Sequence, residues 1–166
     1  MDGRPKKNQG QFKTRSNRAG MTELVSPEAV EGTLRAGWEE LERLDDPFAR
    51  AVFMTLLVAE VHPFDDGNGR TAIIMMNGEL VRLGESRIII PTAIRDEYVS
   101  RLTAMTHNGR ASALASVLDF AQRYTRAIDF TEFAAANQEF TETNAFLTPR
   151  EAEQQMVRLE LPNPRH

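Results

Sequence analysis

The residues of this chain best suited to chemistry stand together as His62-Pro63-Phe64-Asp65-Asp66-Gly67-Asn68-Gly69-Arg70. Strongly apolar stretches flank this polar segment, and polar groups set at the end of a core cost free energy unless they are used. Gly67 and Gly69 lack side chains, so a ligand can approach their backbone N–H groups closely. Those groups lie where the next helix begins, and unpaired donors there, together with the helix dipole, favour an anion. Arg70 adds a planar fork of donors matched to phosphate oxygens. Asp66 offers a hard carboxylate of the kind that holds Mg2+ beside phosphates. An imidazole takes up a proton near neutral pH, so His62 suits a general base for an attacking hydroxyl. The pattern supplies the parts of a phosphate site.

Other motifs fit less well. A Walker A loop needs Lys before Ser or Thr, and none follows Gly69. A calcium loop starting at Asp65 meets Gly67 at its third position, and one starting at Asp66 meets Arg70 at its fifth and Asn77 at its twelfth. Zinc would need further histidines or a thiolate, and the chain has no HExxH and no cysteine. Disulfides and cysteine nucleophiles are excluded on the same ground.

At 166 residues, 41% hydrophobic and 27% charged, the chain has the makeup of one soluble globular domain. No run approaches the roughly 18 apolar residues of a membrane span, and no apolar secretory segment opens the sequence, which makes the cytoplasm the default compartment. The net charge of −4 conceals an asymmetry: residues 1–18 carry six basic side chains against Asp2 alone. The first nine residues read as a flexible basic arm. The acidic body that follows argues against nucleic acid as a partner of the domain itself.

The elements that must position the loop are mostly helical. Ser26-Pro27 has the form of an N-cap followed by proline at the first helical position, and Val30, Leu34, Trp38, Leu41 and Leu44 then recur at helical spacing. Asp46-Pro47 restarts the chain. From Phe48 to Val61 residues are apolar on nearly every side, as in a helix at the centre of a bundle. Beyond the loop, a second apolar helix is expected from about Thr71 to Leu83, closed by Gly84. Arg87–Ile90 is a short β-branched run ended by Pro91. Amphipathic helices follow at 95–107, closed by Asn108-Gly109, and along Leu114, Val117, Leu118, Ala121, Tyr124 and Ile128. Thr148-Pro149-Arg150-Glu151 has the form of a capping box. Near the start, Gln11–Arg15 and Met21–Val25 flank Ser16–Gly20 as a small hairpin. The tail from Leu161 is expected to fray.

The segment from His62 to Arg70 resembles the signature HPFx[D/E]GNGRxxR of the Fic (filamentation induced by cAMP) family, matching every fixed position through Arg70. A weaker resemblance runs from about Gly10 to Phe120. Gly10-Gln11-Phe12-Lys13 is similar to the GxFR that opens the family's flap hairpin, with lysine in place of arginine. The resemblance implies an all-α Fic fold, a helical bundle with a small β-hairpin flap. Residues 10–130 would be the Fic domain, with the flap at about 11–25, and 131–166 a C-terminal helical extension and tail. It implies transfer of AMP from ATP to a Ser, Thr or Tyr hydroxyl of a target protein. His62 would be the general base, Phe64 the anchor of the loop, and Asp66 the ligand of Mg2+. Gly67, Asn68 and Gly69 would form the anion hole, and Arg70 would contact phosphate, in a reaction driven by positioning and electrostatics. The flap would align the target chain by strand addition.

The signature breaks at its last position, where Ile73 stands instead of a second arginine. In the family that arginine helps bind the terminal phosphate of ATP. A charge-assisted contact of this kind is worth about 1.5–3 kcal/mol. Slow AMP transfer, a different nucleotide-type donor, and a non-catalytic nucleotide- or protein-binding module are the three outcomes this leaves. The family's inhibitory motif [S/T]xxxE[G/N] has no match, since Ser26-Pro-Glu-Ala-Val-Glu31-Gly32 has one residue too many. Inhibition is therefore expected from a separate, antitoxin-like protein or from another part of a longer chain. The flap's nearness to Met1 suggests a minimal protein or a single domain of a larger one.

Overall fold

The computed structural model describes residues 10–19, 22–109 and 111–162. The basic arm at 1–9 and the tail residues 163–166 lie outside them. The described chain is all-α with one small hairpin, and it divides into two compact units after Glu85.

In the first unit, β1 (Arg18–Ala19) pairs antiparallel with β2 (Thr22–Glu23), with Arg18 opposite Glu23 and Ala19 opposite Thr22. The hairpin exists, but its first strand lies beyond the expected Gln11–Arg15. Residues 11–17 pair with no strand because the polar groups of Lys13 and Asn17 are used elsewhere, on the 61–64 backbone.

A single 3-10 turn, Pro27–Ala29, leads into α1 (Val30–Leu41). Ser26 makes no side-chain cap. The Glu28 carboxylate instead accepts from its own backbone N–H and from the Ser26 hydroxyl, which lowers its pKa. Val30 and Leu41 are buried as the apolar spacing requires, whereas Trp38 of the same stripe is 43% exposed. Its indole N–H donates to Glu42 Oε1 at 3.0 Å. A Cβ on Gly37 would overlap the Leu57 side chain, so glycine there allows α1 to lie close against α2.

α2 (Pro47–Val61) starts at Asp46, whose carboxylate accepts from Ala49 N–H at 2.6 Å. None of its residues is exposed, in keeping with its all-round apolar sequence. α3 (Asn68–Arg82) begins three residues before the expected start and ends at Gly84, φ +79°, as a left-handed cap. Leu41, Met54, Val58 and Ala72 form a core shared by the three helices, with Phe53 packed against it.

A buried ion pair ties the far ends of these helices. Arg50 Nε donates to Glu79 Oε2 at 2.9 Å, and its Nη1 reaches Leu41 O at 2.7 Å and Leu44 O at 2.9 Å. One guanidinium therefore neutralises a carboxylate on α3 and caps the carbonyl end of α1, where a cation is favoured. Arg82 adds a second bond to Glu79 Oε2 at 2.8 Å. Burial alone would raise the Glu79 pKa, but the hydrogen bonds and charges of Arg82 and Arg50 outweigh it and hold it below the ordinary value.

In the second unit, α4 (Thr92–Asn108) ends at Gly109, φ +65°, and α5 (Ser112–Ala127) buries Leu114, Val117, Leu118, Ala121 and Tyr124, the face its spacing indicates. Arg87–Ile90 forms no strand among the described residues, and Ile89 N–H donates to Thr125 Oγ1. α6 (Phe133–Glu142) completes a core of Tyr124, Ile128, Ala136 and Ala145 with Phe120, Phe140 and Leu159 around it. α7 (Pro149–Gln155) carries the expected capping box, Thr148 and Glu151 bonding reciprocally, and packs on α4.

Removing Arg50 would leave the Glu79 carboxylate, 5% exposed, short of its closest buried partner. Arg50→Met should lower unfolding stability by about 3–5 kcal/mol at neutral pH, measured by urea denaturation. A depressed carboxylate pKa contributes stability above the ordinary carboxylate range and loses it as pH falls through the folded value. The deficit of Arg50→Met should therefore shrink in acid, once Glu79 is protonated. A constant deficit between neutral and acid pH would contradict the role of this pair.

Candidate active site

The loop from α2 to α3 is built on two left-handed residues. His62 closes α2 at φ 49°, ψ 58°, and Gly67 opens α3 at φ 83°, ψ 6°. The second position suits glycine alone among the residues without strain; a β-carbon there would also stand 3.4 Å from Arg70 Nη2. The first is a histidine, and a side chain in this region costs about 1–3 kcal/mol, which surrounding contacts must offset.

Those contacts are hydrogen bonds to the loop backbone. Asn68, 2% exposed, accepts from Phe64 N–H with Oδ1 and donates to Phe64 O with Nδ2, both at 2.8 Å. Its carboxamide thus reproduces the pairing of a neighbouring strand and holds the loop shut. What Asn68 retains for a ligand is its backbone N–H in the first turn of α3. From the N-terminal segment, Lys13 N–H donates to Pro63 O at 2.8 Å and Lys13 Nζ to Val61 O at 3.0 Å and Asn17 Oδ1 at 2.7 Å. Asn17 Nδ2 donates to His62 O and Phe64 O, each at 3.3 Å. Burial lowers the Lys13 pKa, while its place at the carbonyl end of α2 favours a cation. Phe12 stacks on Phe64, ring centroids 5.9 Å apart.

The side chains named from sequence fall on this frame as follows. His62 Nδ1 lies 3.2 Å from Ala59 O. A carbonyl only accepts, so this bond puts the proton on Nδ1 and the lone pair on Nε2. Asp66 and Arg70 sit one helical turn apart, 3.7 Å between Oδ2 and Nη2, with side chains 58% and 80% exposed. Such a pair is weak in water, so both groups can exchange it for a ligand at little cost. Gly69 has no protein atom within 4 Å of a built Cβ, so packing within the chain does not require glycine there. Ile73 is half-buried on α3, one turn beyond Arg70, with Ile74 exposed beside it. Lys13, as a buried clamp, and Asn17 were not legible as site residues; the GxFR-like stretch marks Lys13, and nothing local marks Asn17.

This chain is similar to several known proteins. Residues 1–80 match the model of the Fic/DOC family. The protein adenylyltransferase fic-1 of Caenorhabditis elegans is 36% identical over 97 residues, 56% of this chain and 19% of that protein. The protein adenylyltransferase Fic of Nematostella vectensis is 45% identical over 47 residues, 28% of this chain and 11% of that protein. The solved structure of C. elegans Fic-1 matches with a TM-score of 0.58 at 30% identity, covering 68% of this chain and 34% of that one. A Fic domain containing signaling protein from Bacteroides thetaiotaomicron shares the fold at a TM-score of 0.53 and 23% identity, with coverage of 68% and 50%. The segment that carries the loop is thus similar to the Fic/DOC family. The chain spans a fifth or less of the length of these two curated adenylyltransferases.

Asn68→Ala would strip the Phe64 N–H of its acceptor and leave Phe64 O only the 3.3 Å bond from Asn17 Nδ2, and an unpaired buried donor costs about 1–3 kcal/mol. Gly67→Ala should cost about 1–2 kcal/mol from its left-handed backbone alone. Thermal or urea unfolding measures both losses. An Asn68→Ala variant as stable as wild type would show that the carboxamide does not hold the loop.

Proposed function

We propose that this chain carries a protein adenylyltransferase site that moves AMP from ATP to a Ser, Thr or Tyr hydroxyl of a target protein. The observation that carries the reading is the His62 imidazole, with Nδ1 engaged by Ala59 O and Nε2 left as the basic nitrogen, on a loop that ends at Arg70 in the first turn of α3. The match of residues 1–80 to the Fic/DOC family model and the names of the relatives support it.

In this reaction His62 Nε2 accepts the proton of the incoming hydroxyl as its oxygen bonds to the α-phosphorus of ATP. The bond to the bridging oxygen breaks and pyrophosphate leaves with that electron pair. The N–H groups of Gly67, Asn68 and Gly69 receive phosphate oxygens, and Arg70 balances the charge spread over them during transfer. The donor chemistry of Asp66, a single exposed carboxylate, suits Mg2+, which binds through one or two carboxylates with the phosphates and water completing its shell. Asp66 would hold it, and it would neutralise phosphate charge. The hairpin would be the surface that aligns the target chain.

Ile73 favours a second reading. With an apolar side chain where the family signature has its second arginine, the loop would bind a nucleotide or a partner without turnover.

Labelled transfer from ATP that requires Mg2+ and disappears in His62→Ala is the expected result. Full transfer by His62→Ala would overturn the assignment of the base. Nucleotide binding without transfer, unchanged by His62→Ala, would select the second reading. A panel of ATP, GTP, UTP and CDP-choline with wild type and Ile73→Arg separates the donors. If position 73 limits ATP, Ile73→Arg should gain about 10-fold or more in ATP-dependent labelling, the worth of one charge-assisted contact.

A further inference from the structure

The carbonyls of Val61, His62, Pro63 and Phe64 follow one another out of the end of α2, where no further helical turn supplies donors. Buried or half-buried carbonyls need partners, and here the same short N-terminal stretch reaches all four. Lys13 Nζ takes Val61 O, Asn17 Nδ2 takes His62 O, Lys13 N–H takes Pro63 O, and Asn17 Nδ2 joins Asn68 Nδ2 on Phe64 O. The stretch is itself cross-braced, since Lys13 Nζ also donates to Asn17 Oδ1. His62 sits in the middle of this run with a left-handed backbone that a histidine does not adopt by preference. From that backbone its ring reaches Ala59 O with Nδ1, 3.2 Å away.

We propose that Lys13 and Asn17 are positioning residues for His62. By gripping the carbonyls on both sides of it, they keep its backbone left-handed and so keep the imidazole proton on Nδ1 and the basic lone pair on Nε2. Neither side chain needs to touch substrate. Asn17 is also the residue immediately before β1, so the segment that holds the histidine is the segment that leads into the hairpin. A peptide that pulls on the hairpin therefore pulls on the histidine's clamp, which couples target docking to the readiness of the base. The inference rests on the proposed AMP transfer for its consequence, but the clamp itself is tested without it.

The test uses the whole chain, labelled with 15N-histidine. In wild type, the neutral His62 ring should show the Nδ1-protonated tautomer in long-range 1H–15N spectra. Asn17→Asp preserves size and the acceptor for Lys13 but removes both N–H donors, and Asn17→Ala removes the whole grip. Each should shift the His62 ring signals toward a mixture of tautomers while the signals of His107 and His166 stay in place. Misplacing a catalytic group by about 1 Å costs roughly 10²-fold in rate, so turnover should fall on that scale with KM for ATP changed much less. Lys13→Arg keeps a cationic donor and should retain the wild-type ring signals, whereas Lys13→Met should not. If a folded Asn17→Asp or Lys13→Met variant keeps wild-type His62 signals, the proposal is overturned, whatever its transfer activity. If the signals change but no variant, wild type included, transfers AMP, the clamp stands and the proposed reaction fails.

Discussion

Everything chemical in this chain depends on one piece of backbone pairing, the two hydrogen bonds between the Asn68 carboxamide and the peptide groups of Phe64. The short loop between two packed helices has too few residues to satisfy its own backbone, and an unsatisfied buried peptide group is costly. Asn68 closes the loop from the first turn of α3, and the N-terminal stretch closes it from the other side. With both in place, the left-handed turn at His62 and the glycine turn at Gly67 become tolerable. The result is a rigid crossing from one helix to the next, with a histidine at its entry and a ring of backbone donors at its exit. Preorganisation of this sort is what phosphoryl-type transfer needs most, because little of its catalysis is covalent.

The Arg50–Glu79 pair does related work at the opposite end of α2 and α3. A buried ion pair is not by itself a strong source of stability, since desolvation offsets much of the attraction. Its value here is geometric. Arg50 has three acceptors on three stretches of chain, the end of α1, the turn after it and α3, so it registers the helices that carry the loop. Sliding α3 along α2 by one residue would break both this pair and the Asn68 clamp at once.

Much of this was legible from local patterns. The continuous apolar stretch of α2, the spacing on α5, the Thr148–Glu151 cap and the glycine after α3 each depend on a few neighbouring residues, and each appears where it was expected. The failures are cases where a polar contact outweighed the pattern, once from four residues away and once from the far side of the sequence. Trp38 keeps the helical spacing of a core residue yet stands half in water, because its ring reaches Glu42 instead of a neighbouring helix. The first strand of the hairpin moved from 11–15 to Arg18–Ala19 because residues 13 and 17 use their polar groups on carbonyls 45 or more positions away.

By itself the sequence determined a helical chain with a polar, glycine-bearing loop from His62 to Arg70 and a signature that ends in an isoleucine. Residue type and short spacing suffice for that, since glycine turns, helix starts and donor chemistry are properties of adjacent residues. Tertiary structure decided how the loop is held: which nitrogen of His62 carries the proton, that Asn68 faces inward onto Phe64, and that Lys13 and Asn17 grip the backbone from the far side of the sequence. The two side-chain grips of Lys13 and Asn17 span 48 and 45 residues, and no periodicity or local propensity encodes a partner at that distance.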